Sequence, residues 1–261
     1  MTIPYYQIDA FTDRVFGGNP AGVCLLESWL PDATLQAIAR ENNLSETAFV
    51  VRRGEEFELR WFTPTVEIDL CGHATLAPAF VLFTELNHAG ADIRFHTKSG
   101  VLGATREGDI IVLDFPAMQA VRSDLPAALA SGLGWIPREV WKTRDILAVF
   151  ESDEEVHALE PDFALLAPLD CLGVIATAPG KDCDFVSRFF APGAGIDEDP
   201  VTGSAHSTLV PYWSARLGKK KLHARQLSAR RGELWCEERG PRVGIGGRCV
   251  LYSRAQLEIP A

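Results

Sequence analysis

Glu67-Ile68-Asp69-Leu70-Cys71-Gly72-His73-Ala74-Thr75-Leu76-Ala77-Pro78-Ala79-Phe80-Val81-Leu82 is the stretch that decides the fold. A polar, glycine-containing turn (Cys71 to Ala74) runs straight into an apolar, small-residue segment that reads as a buried helix. The first N–H groups of a helix lack intrahelical acceptors, and the helix dipole adds partial positive charge at the same end. Gly72 carries no Cβ, so a ligand can approach the backbone closely there. The pattern predicts a binding place for an anion, most simply a carboxylate.

The device occurs twice. Glu198-Asp199-Pro200-Val201-Thr202-Gly203-Ser204-Ala205-His206 sets Gly203-Ser204-Ala205 before a second helix-like run that ends near Trp213. The lead-in repeats too: Arg60-Trp61-Phe62-Thr63-Pro64 matches Arg188-Phe189-Phe190-Ala191-Pro192, with three extra residues in the second copy before Glu198. Two matches in register predict an internal duplication, with the two anion turns facing one another across a cleft.

The chain has 261 residues, 47% hydrophobic and 23% charged. It is long enough for one large core or for two of about 120–130 residues. A net charge of −10 speaks against nucleic acid as a partner, because phosphate binding wants a basic face. Lys219-Lys220-Lys221 reads as a solvated helix end. Six cysteines show no CxxC pair and no ligand-like grouping with the six histidines, so no metal centre and no disulfide scaffold is expected. Met1 to Gln7 begins as a strand with no signal peptide, and no apolar run reaches the ~20 residues of a membrane span. A cytosolic protein that does not enter membranes is expected.

Strands are expected at Tyr5–Phe11 and Val23–Leu26, separated by a Gly/Pro loop that lacks the lysine of a phosphate-binding loop. Pro31-Asp32 opens a helix with Leu35, Ile38 and Ala39 on its inner face, ended by Asn42-Asn43. Strands follow at 48–52, 58–62 and 93–97, then a hairpin of 101–106 and 109–115 turning at Glu107-Gly108. The order then restarts. Leu125-Pro126 opens a helix as Leu30-Pro31 did, and strands are expected at 146–150, 171–176, 184–190, 226–229, 233–237, 242–247 and 248–252. The fold class is α+β in two similar lobes. The first covers 1–115 and is completed by a C-terminal strand at about 248–261; the second covers 116–247.

Glu46 lies between an apolar helix end and an apolar strand, where desolvation would tune a carboxyl for proton transfer; a surface Glu at a strand start is the competing reading. His73, next to Gly72, can donate to a ligand at the first turn or simply cap a helix. Asp199 and Ser204 flank Gly203 and can orient a substrate or cap a turn and a helix. Asn19 is ambiguous in the same way. Cys71 is matched in the second turn by Thr202, so a two-thiol racemase pair is incomplete and Cys71 reads as packing.

Asp9-Ala10-Phe11, Gly18-Asn19-Pro20-Ala21-Gly22-Val23, Asn43 to Phe49, Phe62-Thr63-Pro64, Glu67 to Thr75 and Asp199 to Ala205 together resemble the phenazine-biosynthesis isomerase (PhzF-like) family over essentially the whole chain. The resemblance implies the diaminopimelate-epimerase fold, in which two pseudo-symmetric lobes each wrap a barrel-like mixed sheet around a central helix and hold the active site between them. It implies a small, cyclic, carboxylate-bearing substrate, no cofactor, and a homodimer. By matching positions, Glu46 is the acid/base that moves a proton between carbons. His73, Asp199 and Ser204 hold the substrate and assist, while Asn19, Gly72 and Gly203 line the cleft. Residues 125–184 show no recognisable substrate-specific position.

A carboxylate binder without chemistry is the alternative from a different class. Such a protein gains nothing from an acid beside an anion site and suffers repulsion from it, so Glu46 favours the isomerase.

Overall fold

The computed structural model describes residues 1–259. The first unit comprises β1 (Thr2–Ala10), β2 (Asn19–Leu26), α1 (Asp32–Asn42), β3 (Glu46–Arg53), β4 (Glu56–Phe62), β5 (Glu67–Ile68), α2 (His73–Phe80), β6 (Asp92–Thr97), β7 (Gly100–Glu107) and β8 (Ile110–Pro116). The second holds β9 (Val121–Arg122), α3 (Ala127–Leu133), β10 (Glu139–Lys142), β11 (Ile146–Val149), α4 (Asp153–His157), α5 (Phe163–Leu166), β12 (Val174–Pro179), β13 (Phe185–Phe190), α6 (Gly203–Leu217), β14 (Lys221–Gln226), β15 (Gly232–Glu238) and β16 (Arg242–Gly247). β17 (Cys249–Glu258) returns to the first unit and pairs antiparallel with β1. The compact units are Met1–Asp114 with the stretch from Gly246, and Phe115–Ile245.

Each unit repeats one pairing order. In the first, β1–β2 is antiparallel, β2–β3 parallel, β3–β4 antiparallel, β4–β6 parallel and β6–β7 antiparallel. In the second, β10–β11, β11–β12, β12–β13, β13–β14 and β14–β15 follow the same alternation. The second parallel step requires a crossover, and in each unit that crossover is the helix predicted from the anion turn. α2 packs on β1, β2, β3 and β17, and α6 packs on β14 and β15. This is a mixed α+β fold with one central buried helix in each unit.

Both central helices contain a proline, and both compensate for it. Proline lacks an N–H, so the carbonyl four residues earlier loses its donor. Pro78 orphans the Ala74 carbonyl, which accepts instead from the Trp61 indole N–H at 2.9 Å. Pro211 orphans the Ser207 carbonyl, which accepts from the Met118 backbone N–H at 2.9 Å. A buried helix segment survives a proline because its surroundings supply the missing donor.

Three expectations are corrected. β2 begins at Asn19, not Val23: Asn19 and Pro20 pair with Ala10 and Asp9 of β1, and β3 joins only from Ala21, so the proline sits where β2 has a single ladder neighbour. The strand expected at 226–229 is β14, ending at Gln226; its inward residues are Leu222, Ala224 and Gln226, and Ser228 to Arg230 bend away. The basic run is split as well, since α6 ends at left-handed Gly218 and Lys221 already belongs to β14.

Candidate active site

The segment before each anion turn is fixed by the same contact. Arg60 donates from Nε and Nη2 to the two oxygens of Glu67 (2.7 and 2.8 Å), and Arg188 does so to Glu198 (2.7 and 2.9 Å). The guanidinium of Arg60 also lies 5.2 Å from the Phe62 ring centre, and that of Arg188 lies 4.9 Å from Phe190. A bidentate fork held over an aromatic ring has little rotamer freedom left, so it sets the approach to the turn.

The Arg60 hydrogen bonds, against an opposing burial penalty and with help from Lys98, hold the Glu67 carboxyl down at about 2 from an ordinary 4.5. A depressed carboxylate stabilises the fold above its unfolded pKa. Its contribution, at most about 3 kcal/mol, is therefore complete above pH 4.5 and lost as pH falls toward 2. Glu67→Gln should flatten the acid limb of a stability–pH curve over that interval in urea melts. An unchanged limb would show that the ion pair holds nothing.

In the first unit, β3 starts at Glu46, β2 starts at Asn19, and α2 starts at His73. These three starts meet. Glu46 Oε2 lies 3.0 Å from His73 Nε2, and the Asn19 amide nitrogen lies 3.1 Å from His73 Nδ1. Glu46, His73 and Asn19 are 7%, 3% and 0% exposed, so Glu46 is not a surface carboxylate. The Glu46–His73 approach is at ion-pair distance, but the ring N–H is not aimed along it, and both atoms lack an aligned hydrogen-bond partner.

Burial opposes a charge on His73, yet Cys71 and Glu46 lift its pKa well above the ordinary value. Burial in turn pushes the Cys71 thiol up to about 11, with Glu46 adding to it. A thiol that stays protonated cannot support a cation at neutral pH, so Glu46 is the group that stabilises the imidazolium. Gly72 precedes α2, and the N–H groups of Gly72 and His73 have no acceptor among the described residues. Cys71 Sγ lies 3.5 Å from His73 Nδ1. Glu46, Cys71 and His73 each place one ligand-type atom within 4.8 Å of the others.

In the second unit, Gln226 organises the turn. Its oxygen accepts from the Thr202 N–H (2.8 Å), and its amide donates to the Asp199 carbonyl (2.8 Å) and to Thr202 Oγ1 (3.2 Å). Thr202 Oγ1 donates to the Asp199 carboxylate at 2.6 Å. α6 has no side-chain cap, so Ser204 is not spent on capping. Ser204 Oγ instead accepts from Arg144 Nη2 at 3.3 Å, which leaves its own proton free to donate. Arg144 is steadied by Asp145, a fully buried carboxylate 3.1 Å from Nη2. The turn therefore combines the N–H groups of Gly203 and Ser204, which open α6, with a hydroxyl and a cation.

Arg144, Asp145 and Gln226 escape motif reading. Arg144 and Asp145 sit in a three-residue turn between β10 and β11, and only the fold brings that turn to α6. The second turn's fixed acidic partner, Asp199, is legible only through its neighbours. His206, buried on α6, donates from Nδ1 to the Thr202 carbonyl, and burial holds it down near 4. It is a neutral structural histidine, unlike His73.

A family model described as phenazine biosynthesis-like protein matches residues 8–255. An uncharacterized isomerase of Pseudomonas aeruginosa is 52% identical over 99% of this chain and 100% of its own length. The crystal structure of a phenazine biosynthesis protein, PhzF family, from Enterococcus faecalis is 48% identical, with TM-score 0.98 over 99% of this chain and 100% of that one. A hydroxyproline epimerase of Agrobacterium vitis, 10% identical, shares the fold at TM-score 0.64 over 98% and 92% of the two chains. No helix among the described residues is long and apolar enough to cross a membrane. With the buried Glu46–His73 pair and the duplicated turns in place, the chain belongs to the phenazine biosynthesis-like (PhzC-PhzF) family of isomerases.

Proposed function

We propose that this protein is a cofactor-independent isomerase that moves a proton between two carbons of a small, cyclic, carboxylate-bearing substrate. The observation that carries the proposal is the buried Glu46 carboxylate 3.0 Å from the His73 imidazole. Glu46 takes a proton from carbon, and its carboxyl group, exchanging with solvent before it reacts, delivers a proton to another carbon on the same face. Negative charge that develops on the substrate between the two steps is stabilised by the His73 cation and by the N–H groups at Gly72 and His73. Asn19 fixes the ring at its far edge. Asp199, Ser204 and Gly203 hold the substrate's polar groups.

Incubation with cyclic carboxylates in deuterated water tests this, with mass spectrometry reading label at carbon. Deuterium on a ring carbon is expected; a panel of such acids that takes up none rejects the isomerase. Cys71 stands outside the chemistry because its thiol stays protonated, so Cys71→Ala should keep most of the activity.

Arg144 adds a cation to the second turn, and it suits a substrate with an anionic group there. Charge-assisted hydrogen bonds are worth about 1.5–3 kcal/mol. Arg144→Gln should therefore raise KM by about tenfold or more while changing kcat less. An unchanged KM would remove Arg144 from substrate binding. We further propose that the protein works as a homodimer in the cytosol, which gel filtration with light scattering and cell fractionation would check.

A further inference from the structure

We propose that Glu46, Cys71 and His73 form a latent site for a thiophilic divalent cation, above all Zn²⁺, and that filling it switches the enzyme off. The inhibitory half rests on the isomerase assignment above; the binding half does not.

Cys71 is the one nucleophilic side chain at the centre that the proton transfer leaves idle. It is nonetheless buried against the catalytic imidazole, with Sγ 3.5 Å from Nδ1. Thiolate, imidazole and carboxylate are the donors that zinc takes, with bonds of about 2.0–2.3 Å that set neighbouring donors about 3.3–3.8 Å apart in a tetrahedron. The three side chains here place one donor atom each within 4.8 Å of the others, and Glu46 Oε2 stands 3.0 Å from His73 Nε2. Closing the shell takes a side-chain rotation that carries Sγ from the Nδ1 edge of the ring toward Nε2.

Two of the donor atoms already need a partner. Glu46 Oε2 and His73 Nε2 are buried without an aligned hydrogen bond, and a cation would satisfy both. Asn19 supplies the outer contact that orients a metal-bound imidazole. With its amide turned to present oxygen to Nδ1–H, Nε2 is left to the metal; nitrogen and oxygen of an amide are exchangeable by that rotation. Three protein donors leave a fourth position for water. The thiol selects zinc over magnesium or calcium, which prefer all-oxygen shells.

Binding displaces the Cys71 thiol proton and the acidic proton of His73 to solvent, with no change of oxidation state. It also ties up the Glu46 lone pair, and with it the base.

The test uses the metal-free full chain titrated with Co²⁺ and Zn²⁺. A thiolate-to-cobalt charge-transfer band is expected in the parent protein, bleached by Zn²⁺ and absent from Cys71→Ala and Cys71→Ser. Zn²⁺ should stop deuterium exchange by the parent, and EDTA should restore it. The loss of even an outer-shell partner weakens metal binding by 10–100-fold, so Cys71→Ala should need at least about tenfold more Zn²⁺ for the same inhibition. A parent without the band, a band that survives in both variants, or equal inhibition of parent and Cys71→Ala overturns the proposal. The two readings fail separately. Exchange without a cobalt band sinks the metal site alone, and a band without exchange sinks the isomerase alone.

Discussion

Glu46→Gln should abolish proton transfer while the chain stays folded. The amide matches the carboxyl in shape and volume, so the packing at the start of β3 is kept. Little hydrogen bonding is lost, because Glu46 Oε2 has no aligned partner to begin with. Chemistry is another matter, since an amide cannot take up a proton from carbon at neutral pH. General acid–base catalysis contributes about 10²–10⁴-fold, and a group that both removes and returns the proton should show the upper end. The same substitution removes the charge that lifts His73, so the His73 imidazole should titrate lower in NMR than in the parent. That second readout separates a lost base from a misfolded site. A variant that retains most of the parent exchange rate would take Glu46 out of the mechanism. A lost rate with an unmoved His73 titration would place Glu46 elsewhere than beside the ring.

The sequence shows some of these features and hides others for physical reasons. Both central helices were legible, since a glycine turn followed by small apolar residues has few other uses than a buried helix start. The duplication was legible in Arg60 and Arg188 with their aromatic and proline neighbours. The physical reason is the bidentate ion pair to Glu67 and Glu198 laid over Phe62 and Phe190. Local spacing does not carry contacts between distant starts. Asn19 and His73 are 54 residues apart, and only the β2–β3 register together with the placement of α2 joins them. Arg144 reaches Ser204 across 60 residues from a tight turn with no periodicity. β14 was misplaced because its inward positions are a leucine, an alanine and a glutamine. The glutamine faces inward to tie down the second turn, and that work breaks the apolar pattern by which a strand is recognised.

Gly18→Ala should cost the first unit about 3 kcal/mol or more and should carry activity down with it. Gly18 has φ +59°, where an L-residue pays roughly 1–2 kcal/mol for its Cβ. The larger cost is contact. A Cβ there would stand 2.0 Å from the Ala10 carbonyl oxygen and 2.9 Å from Thr12 Cγ2. The carbonyl belongs to a strand end and cannot rotate aside as a side chain would. Ala10 faces Asn19 in the β1–β2 register, so relief must move the hairpin end that presents Asn19 to His73. Gly54→Ala is the matched control: its φ is +65° and nothing lies within 4 Å of the added carbon. It pays for the left-handed backbone alone. Urea unfolding of the two variants isolates the contact as their difference. Deuterium exchange by the folded fraction of Gly18→Ala then shows whether His73 has lost its support. Equal stability of the two variants would mean that the hairpin end yields freely. Normal exchange in Gly18→Ala would mean that Asn19 does not position the ring.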